Sequence, residues 1–190
     1  MKKNVKPANR VIYIVILLII SSCTFDYNEA GSAEDNLPDL VMENVEYVRV
    51  RSAEPIARFE AERAESYEKQ SLMKLENFSF EQYSERGETT NVTGRAGNAS
   101  VYIQSGDIFM NNGVRLEVES EDIIIETFQI DWKDEQRILT SGDENDVYIT
   151  QQNGTSFTGT GLHADARRRT WEFSGSVSGT YVHQDNNGEN

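Results

Sequence analysis

Two stretches decide the fold, Val114-Arg115-Leu116-Glu117-Val118-Glu119 and Phe128-Gln129-Ile130-Asp131-Trp132-Lys133. In each, apolar and polar side chains alternate with a period of two, which is the spacing of side chains on one face of a β-strand. The same alternation recurs at residues 45–51, 57–62, 101–104, 147–149 and 171–173. No segment of the body sustains the apolar spacing of an amphipathic helix. The sequence therefore predicts an all-β domain over residues 40–183, including residues 60–67, whose Ala and Glu content is partly helical in character.

Short polar segments separate these strands. Turns are predicted at Asn111-Asn112-Gly113, Ser105-Gly106-Asp107 and Gln152-Asn153-Gly154, because Asn, Asp and Gly tolerate turn conformations. The acidic run at residues 143–146 is interpreted as a charged turn rather than a calcium site, since it lacks the EF-hand pattern. The basic run at residues 167–169 is interpreted as a solvated turn, although arginines also pair with lipid phosphates. Turns about ten residues apart favour a sandwich or barrel-like antiparallel fold.

A weak internal repeat runs through the body. Apolar strands that begin at Leu72, Ile108, Ile138 and Trp171 are each preceded by a strand or corner rich in small residues. Stacking such units predicts an extended β-structure rather than a closed globule.

The N-terminus predicts export and lipidation. Four basic residues precede ten apolar or aromatic residues, 11–20, which as a helix would rise only about half of a roughly 30 Å hydrocarbon core. They suit the apolar region of a secretory signal. Ile20-Ser21-Ser22-Cys23 resembles the bacterial lipobox, so we expect a signal peptide at residues 1–22 and lipid attachment at Cys23, the one cysteine of the chain. An ordinary signal peptide and an uncleaved anchor are the alternatives.

Charge limits the choice of partners. Removal of residues 1–22 would leave 168 residues with 14 basic and 32 acidic side chains, a net charge of −18. Nucleic acid is excluded as a partner, since its binding needs a basic surface. Residues 23–39 are expected to form a flexible acidic tether and residues 184–190 a disordered tail.

Four motifs stand in order along the body: residues 61–67, Ile130-Asp131-Trp132 followed by Ile138 and Thr140, residues 159–165, and residues 173–179. Together they resemble the LptC family, the periplasmic component of the lipopolysaccharide export machinery. The resemblance implies a twisted, open antiparallel β-jelly roll (LptA/LptC-like) whose two sheets enclose an apolar groove for acyl chains. It also implies edge-to-edge docking to inner-membrane ABC transporter subunits and to a periplasmic LptA-like bridge protein. Many members keep a transmembrane helix where this chain has a lipobox, so the inner membrane is favoured by resemblance alone.

Alternation and resemblance together predict the lipid-groove lining, although the same side chains would also fill an ordinary sandwich core. The candidates are Phe59, Leu75, Phe78, Val101, Ile103, Met110, Val114, Leu116, Ile130, Trp132, Ile138, Val147, Ile149, Leu162, Trp171 and Phe173. The last strand pattern, residues 173–182, predicts the partner edge. Its candidate positions are Phe173, Gly175, Val177, Gly179 and Tyr181.

Catalysis finds little support in the sequence. The two histidines, His163 and His183, have neither a metal-ligand spacing nor a thiol partner, and no nucleophile elbow or phosphate loop occurs. We therefore expect no catalytic residue, metal or cofactor. The leading hypothesis is a non-enzymatic module that conveys lipopolysaccharide or a related glycolipid across the periplasm, held at a membrane by its lipid anchor. Its rivals are a structural or surface-interaction lipoprotein with a filled core, and a glycan-active enzyme on a jelly roll.

Overall fold

The computed structural model describes residues 37–84 and 89–183, which form twelve strands and two short 3₁₀ helices. The strands are β1 (Leu40–Arg51), β2 (Glu54–Tyr67), β3 (Leu72–Tyr83), β4 (Thr90–Tyr102), β5 (Ile108–Val118), β6 (Ile123–Lys133), β7 (Ile138–Thr140), β8 (Asp146–Gln151), β9 (Ser156–Thr160), β10 (Leu162–Asp165), β11 (Thr170–Phe173) and β12 (Val177–Thr180). The 3₁₀ helices are Glu68–Gln70 and Glu119–Glu121. The all-β class and the strand at residues 60–67 are confirmed. The expected signal peptide, Cys23, most of the tether and the tail lie outside the described residues.

The strands form one open antiparallel sheet that forks at β6. Strands β1 to β6 pair in chain order, and β2 is the one strand of the described residues that pairs with β1. Residues 123–127 of β6 pair with β8, which leads to β9 and β12. Residues 131–133 of β6 pair with β7, which leads to β10 and β11. Layer A consists of β8, β9 and β12 together with the halves of β1–β6 that continue this branch. Layer B consists of β7, β10 and β11 together with the other halves of β1–β6.

The two layers meet where every long strand bends. Cross-strand pairing skips one to three residues in each of β1 to β6. We call the residues at the centre of these gaps the bend line: Asn44, Glu62, Asn77, Gly97, Asn112–Gly113 and Phe128. Three of its asparagines have left-handed backbones, with φ of 52°, 49° and 65°. Asn adopts this conformation more readily than most residues. Gly97 is required by close approach, because a Cβ there would lie 2.5 Å from Asn112 Nδ2.

The bend resets the alternation so that both layers face one interior. In β3, for example, Leu75 and Phe78 are both buried although they are three residues apart. Ala61 and Ala64 in β2, like Ala96 and Ala99 in β4, are buried in the same way. The core therefore flanks the bend line, where small side chains of β2 and β4 let the layers approach.

One predicted turn is wrong. Asn111-Asn112-Gly113 lies inside β5, where it forms the bend of a continuous strand rather than a hairpin. Asn and Gly indicate a backbone with positive φ. Such a backbone occurs both in strand bends and in hairpin turns, so these residue types do not distinguish a bend from a hairpin. The other segments do lie between strands: residues 105–107, 143–145, 152–154 and 167–169. Leu72, Ile108 and Ile138, which open the sequence repeats, begin β3, β5 and β7 in layer B.

Candidate functional site

A continuous row of apolar side chains crosses the inner face of layer A. Register pairs its members one to the next, and we call it row A: Tyr47, Phe59, Phe80, Gly94, Leu116, Ile125, Ile149 and Phe157. Gly94 is needed in this row, since a Cβ there would lie 2.8 Å from Leu116 Cδ2 and closer still to the ring of Phe80. Row A contains no charged residue.

A second row crosses the inner face of layer B. Its members are again successive cross-strand partners, and we call it row B: Leu40, Ser66, Met73, Val101, Ile108, Trp132, Leu139, Ala164 and Trp171. Ser66 is the polar exception among otherwise apolar or aromatic side chains. Ala64, Ile130 and Val147 lie between the two rows and the bend line and are completely buried. Next to the bend line, layer A and layer B therefore pack directly against each other.

The two rows converge at the C-terminal end and stay exposed at the β1 end. Phe157 and Trp171, the last members of each row, have ring centroids 5.4 Å apart. Phe173 closes the same end, because a Cβ on Gly159 in layer A would lie 2.8 Å from its Cγ. At the other end, Tyr47 is 58% exposed and Leu40 52%. The inner face is thus an apolar trough that is closed at β9–β11 and open at β1.

Most of the predicted lining residues lie on the inner face. Nine are buried, namely Leu75, Phe78, Met110, Val114, Leu116, Ile130, Val147, Ile149 and Leu162. Phe59, Val101 and Phe173 are partly buried and pack against this core, and Trp132 and Trp171 belong to row B. Their placement suits a core and a groove equally, so the lipid-lining role stays a prediction.

Two predicted lining residues lie elsewhere. Ile138 lies opposite Lys133 and Asp165, which face outward, so it faces outward as well. Its neighbour Leu139 faces inward and is the member of row B. Ile103 lies in the turn after β4, where its N–H donates to the Ser71 carbonyl at 2.8 Å, and it is 55% exposed. Both segments do alternate, but alternation does not fix where β4 ends, and Ile103 lies beyond that end. Nor does it fix which face a three-residue strand such as β7 turns inward, because its pairing partners decide this.

Sequence reasoning missed several inner-face residues. Phe80 and Phe157 of row A, Met73 and Ile108 of row B, and Ile125 were not among the candidates. Phe80 could have been found, since Phe78-Ser79-Phe80 alternates. Ile125 was hidden in Ile123-Ile124-Ile125, an apolar run without alternation.

The predicted partner edge is not one strand. Phe173 ends β11 in layer B, whereas Val177 and Gly179 lie in β12 of layer A. Gly175 falls between them at the crossing from one layer to the other, where its N–H donates to the Thr160 carbonyl at 3.1 Å. Tyr181 follows β12 and is 72% exposed. Within the described residues, β11 and β12 are each the last strand of their branch, so residues 170–180 present two edges, one in each layer.

Ion pairs between neighbouring strands lie on the outer faces. On layer A, Arg58 pairs with Glu46 at 3.3 Å, and Arg115 pairs with Glu117 at 2.9 Å and Glu126 at 2.7 Å. Two depressions of about 440 and 590 Å³ lie on this face, both lined by Arg95 and Arg115. These depressions are charged rather than apolar, so the trough is the surface suited to acyl chains.

Two carboxyl groups on the outer face of layer B are shifted in opposite directions. The Tyr67 hydroxyl donates to Glu65 at 2.7 Å and Arg63 pairs with it at 2.8 Å, and together they lower the pKa of the Glu65 carboxyl. Partial burial raises the pKa of Asp131, with a further contribution from the Asp107 carboxylate. The neighbouring Asp107 carboxyl has a lowered pKa because, against the effect of its burial, it accepts hydrogen bonds from Lys133 and from the Asp134 N–H. These shifts follow from ion pairs, hydrogen bonds and partial burial on the outer face, as in structural charge networks.

Two other kinds of site are absent from the part of the chain that the structure describes. No group of His, Cys, Asp and Glu side chains in this part could hold a metal ion. None of its helices has the length and apolarity to cross a membrane.

Comparison with known proteins gives the family. A family model described as "Lipopolysaccharide-assembly, LptC-related" matches residues 11–182. No curated protein sequence matches the chain. Among solved structures, the chain is similar to LptH of Pseudomonas aeruginosa, described as the LptA homologous periplasmic component of the conserved lipopolysaccharide transport device. The TM-score is 0.54 at 13% identity, over 67% of this chain and 95% of that one, which shows a shared LptA-like β-jelly roll.

Proposed function

The chain belongs to this LptC-related family of lipopolysaccharide-assembly proteins, and from that premise we propose that it conveys lipopolysaccharide or a related glycolipid along its apolar trough. Proteins of the family are non-enzymatic, periplasmic components of lipopolysaccharide transport. The observation that carries the proposal is the pair of facing apolar rows, free of charge over their whole length. Each acyl CH₂ that leaves water for such a surface gains roughly 0.8 kcal/mol.

The free edges supply the docking positions in this proposal. Strand β1 has twelve residues and, among the described strands, pairs only with β2, so its other side offers backbone donors and acceptors that no described strand pairs. We assign it to the inner-membrane ABC transporter subunits. The edges of β11 and β12 are assigned to the periplasmic LptA-like bridge protein. Exposed Val41, Val48 and Val50 on β1 support the assignment, because a strand that is apolar on both faces suits the interior of a sheet.

Anchoring completes the proposal. Lipid attached at Cys23 holds the domain at a membrane, with the inner membrane favoured by family resemblance, and residues 23–39 provide the tether. Metabolic labelling with a palmitate analogue tests this step. The full-length chain should take up label, and Cys23→Ala should take up none. Label that persists in the variant would refute attachment at Cys23.

Photocrosslinking tests the trough directly. A benzophenone amino acid at Tyr47, 58% exposed on the inner face, should capture a glycolipid in cells that export it. The matched control is Tyr148, 49% exposed on the outer face of layer A. Equal lipid capture from both positions, or none from Tyr47 together with no amphiphile in the mass spectrum of the purified protein, would sink the transfer function.

A second crosslink tests docking. The same amino acid at Ser178 in β12 should link to the bridge protein, whereas Ser79 in the interior strand β3 should not. Failure at Ser178 would reject this edge without affecting the lipid result.

A structural or surface-interaction lipoprotein with a filled core is the second candidate. Complete burial of Ala64, Ile130 and Val147 favours it, since the layers are packed near the bend line. The same crosslinks separate the two, because a filled core gives no lipid capture at Tyr47.

A further inference from the structure

We propose that Arg49 forms a head-group site for a phosphorylated amphiphile at the open, β1 end of the trough. This inference rests on the proposed lipid-conveying function and adds to it a charged contact outside the apolar rows. The occupant is an amphiphile whose chain lies on Tyr47 and Phe59 while its anionic head meets the guanidinium.

Register places Arg49 on the rim of the inner face. It lies opposite Ala57 and two residues after Tyr47, so Arg49, Tyr47 and Ala57 share a face. Ala57 in turn lies opposite Gln82 of β3. Two residues of strand separate Arg49 from row A by about 7 Å. The surrounding inward positions are neutral, so no carboxylate on this face competes for the guanidinium.

Arg49 lacks a partner, as does Arg51 at the end of β1, whereas the arginines of the adjacent strand β2 are paired. Arg58 and Arg63 of β2 pair with Glu46 and Glu43 on the outer faces. Within residues 37–84 and 89–183, Arg49 is exposed and makes no ion pair or side-chain hydrogen bond. In a chain of net charge −14, an unpaired arginine beside the exposed ring of Tyr47 is a local attraction for anions.

The opposite end of the trough lacks this combination. Arg169 precedes Trp171 by two residues, as Arg49 follows Tyr47 by two, but it pairs with Glu121 at 3.8 Å. There the aromatic rings of Phe157 and Trp171 also contact each other. An open apolar surface and a free cation therefore coincide only at the β1 end of the described trough.

The chemistry of this juxtaposition selects the ligand. A guanidinium binds phosphate with two parallel hydrogen bonds, which makes it more selective than a point charge. Tyr47, Phe59 and Phe80 form a strip of rings with centroids 6.1 and 6.4 Å apart, which supplies an apolar surface for an alkyl chain. Free phosphate would gain only the first contact, and a neutral amphiphile only the second.

The test compares two probes on the full-length chain in phosphatidylcholine nanodiscs. Photocrosslinking from a benzophenone amino acid at Tyr47 is titrated with dodecyl phosphate and with dodecyl maltoside. Arg49→Gln is compared with Arg95→Gln, an exposed outer-face arginine that also has no ion pair in the described structure. Partition into the nanodisc is the same for all variants, so half-saturation values can be compared directly.

Arg49→Gln should raise the half-saturation concentration of dodecyl phosphate about fivefold or more and leave that of dodecyl maltoside unchanged. Arg95→Gln should change neither. Equal effects of Arg49→Gln on both probes, no effect on either, or a matching effect of Arg95→Gln would overturn the head-group site while leaving the trough intact. If the unsubstituted chain captures neither probe, the lipid-conveying function fails as well.

Discussion

Replacing Phe78 by Ala tests whether the two layers close on each other beside the bend line. Phe78 is 1% exposed, and its ring centroid lies 6.2 Å from that of Phe59 and 5.8 Å from that of Phe80. Truncating a buried phenylalanine costs about 3–5 kcal/mol, and aromatic pairs add about 0.5–1.5 kcal/mol beyond burial. Because the two flanking rings border the open trough and can move inward, we expect a loss near the lower limit, about 3 kcal/mol.

Urea unfolding of the full-length chain, followed by the fluorescence of Trp132 and Trp171, measures this loss. With a denaturant slope of about 2 kcal/mol/M, the midpoint should fall by about 1.5 M. The control is Phe128→Ala, the same truncation at a ring that is 61% exposed on the outside of the bend line. It should change the free energy of unfolding by less than about 0.5 kcal/mol.

A loss below about 1 kcal/mol for Phe78→Ala, or a loss equal to that of the control, would refute the packing argument. It would mean that Phe78 faces an open groove and that the apolar trough extends to the bend line. A loss of unfolding free energy near 3 kcal/mol would mean that the Phe78 ring is part of the packed core, so that any bound lipid lies further from the bend line than this ring.

Three further substitutions probe other parts of the structure. Asn77→Ala should cost about 1–2 kcal/mol in urea unfolding, because Ala tolerates the left-handed backbone (φ 49°) poorly, whereas Asn77→Gly should recover most of the loss. Gly159→Val should push Phe173 away and expose Trp171, seen as stronger quenching of its fluorescence by iodide; unchanged quenching would contradict the closed end. Asp131→Asn should raise the urea midpoint at pH 7 but not at pH 3. The raised pKa of Asp131 means that ionising its carboxyl costs more free energy in the folded than in the unfolded state, and this cost vanishes once the carboxyl is protonated. Equal midpoints of the variant and the unsubstituted chain at pH 7 would contradict this prediction.

Local alternation was sufficient for strand identity and placed most of the candidate lining residues on the inner face. Val114, Leu116, Ile130 and Val147 were placed on the inner face from a period of two, because that period is a property of the extended backbone itself. The family was also recognisable from motif order along the chain. The signal peptide and Cys23 remain predictions from the N-terminal sequence alone.

Pairing partners decided what alternation could not. The phase of β7 is set by Lys133 and Asp165 beside it, which is why Ile138 faces outward. Alternation predicts a single last strand over residues 173–182, yet these residues divide between the layers, with Gly175 lying against Thr160 at the crossing. A three- or four-residue strand carries too few positions for its own pattern to fix its face.

Alternation, charge and family resemblance along the chain predict an open β-structure with an apolar inner face in a domain of net negative charge. Only the folded domain shows that Asn77, Gly97 and Asn112 line up as one bend, and that the trough closes at Phe157 and Trp171 and stays open at Tyr47. These features differ in the sequence distance over which they are set. Side-chain alternation is local, whereas a bend line and a closed end exist only once strands distant in sequence have fixed their register.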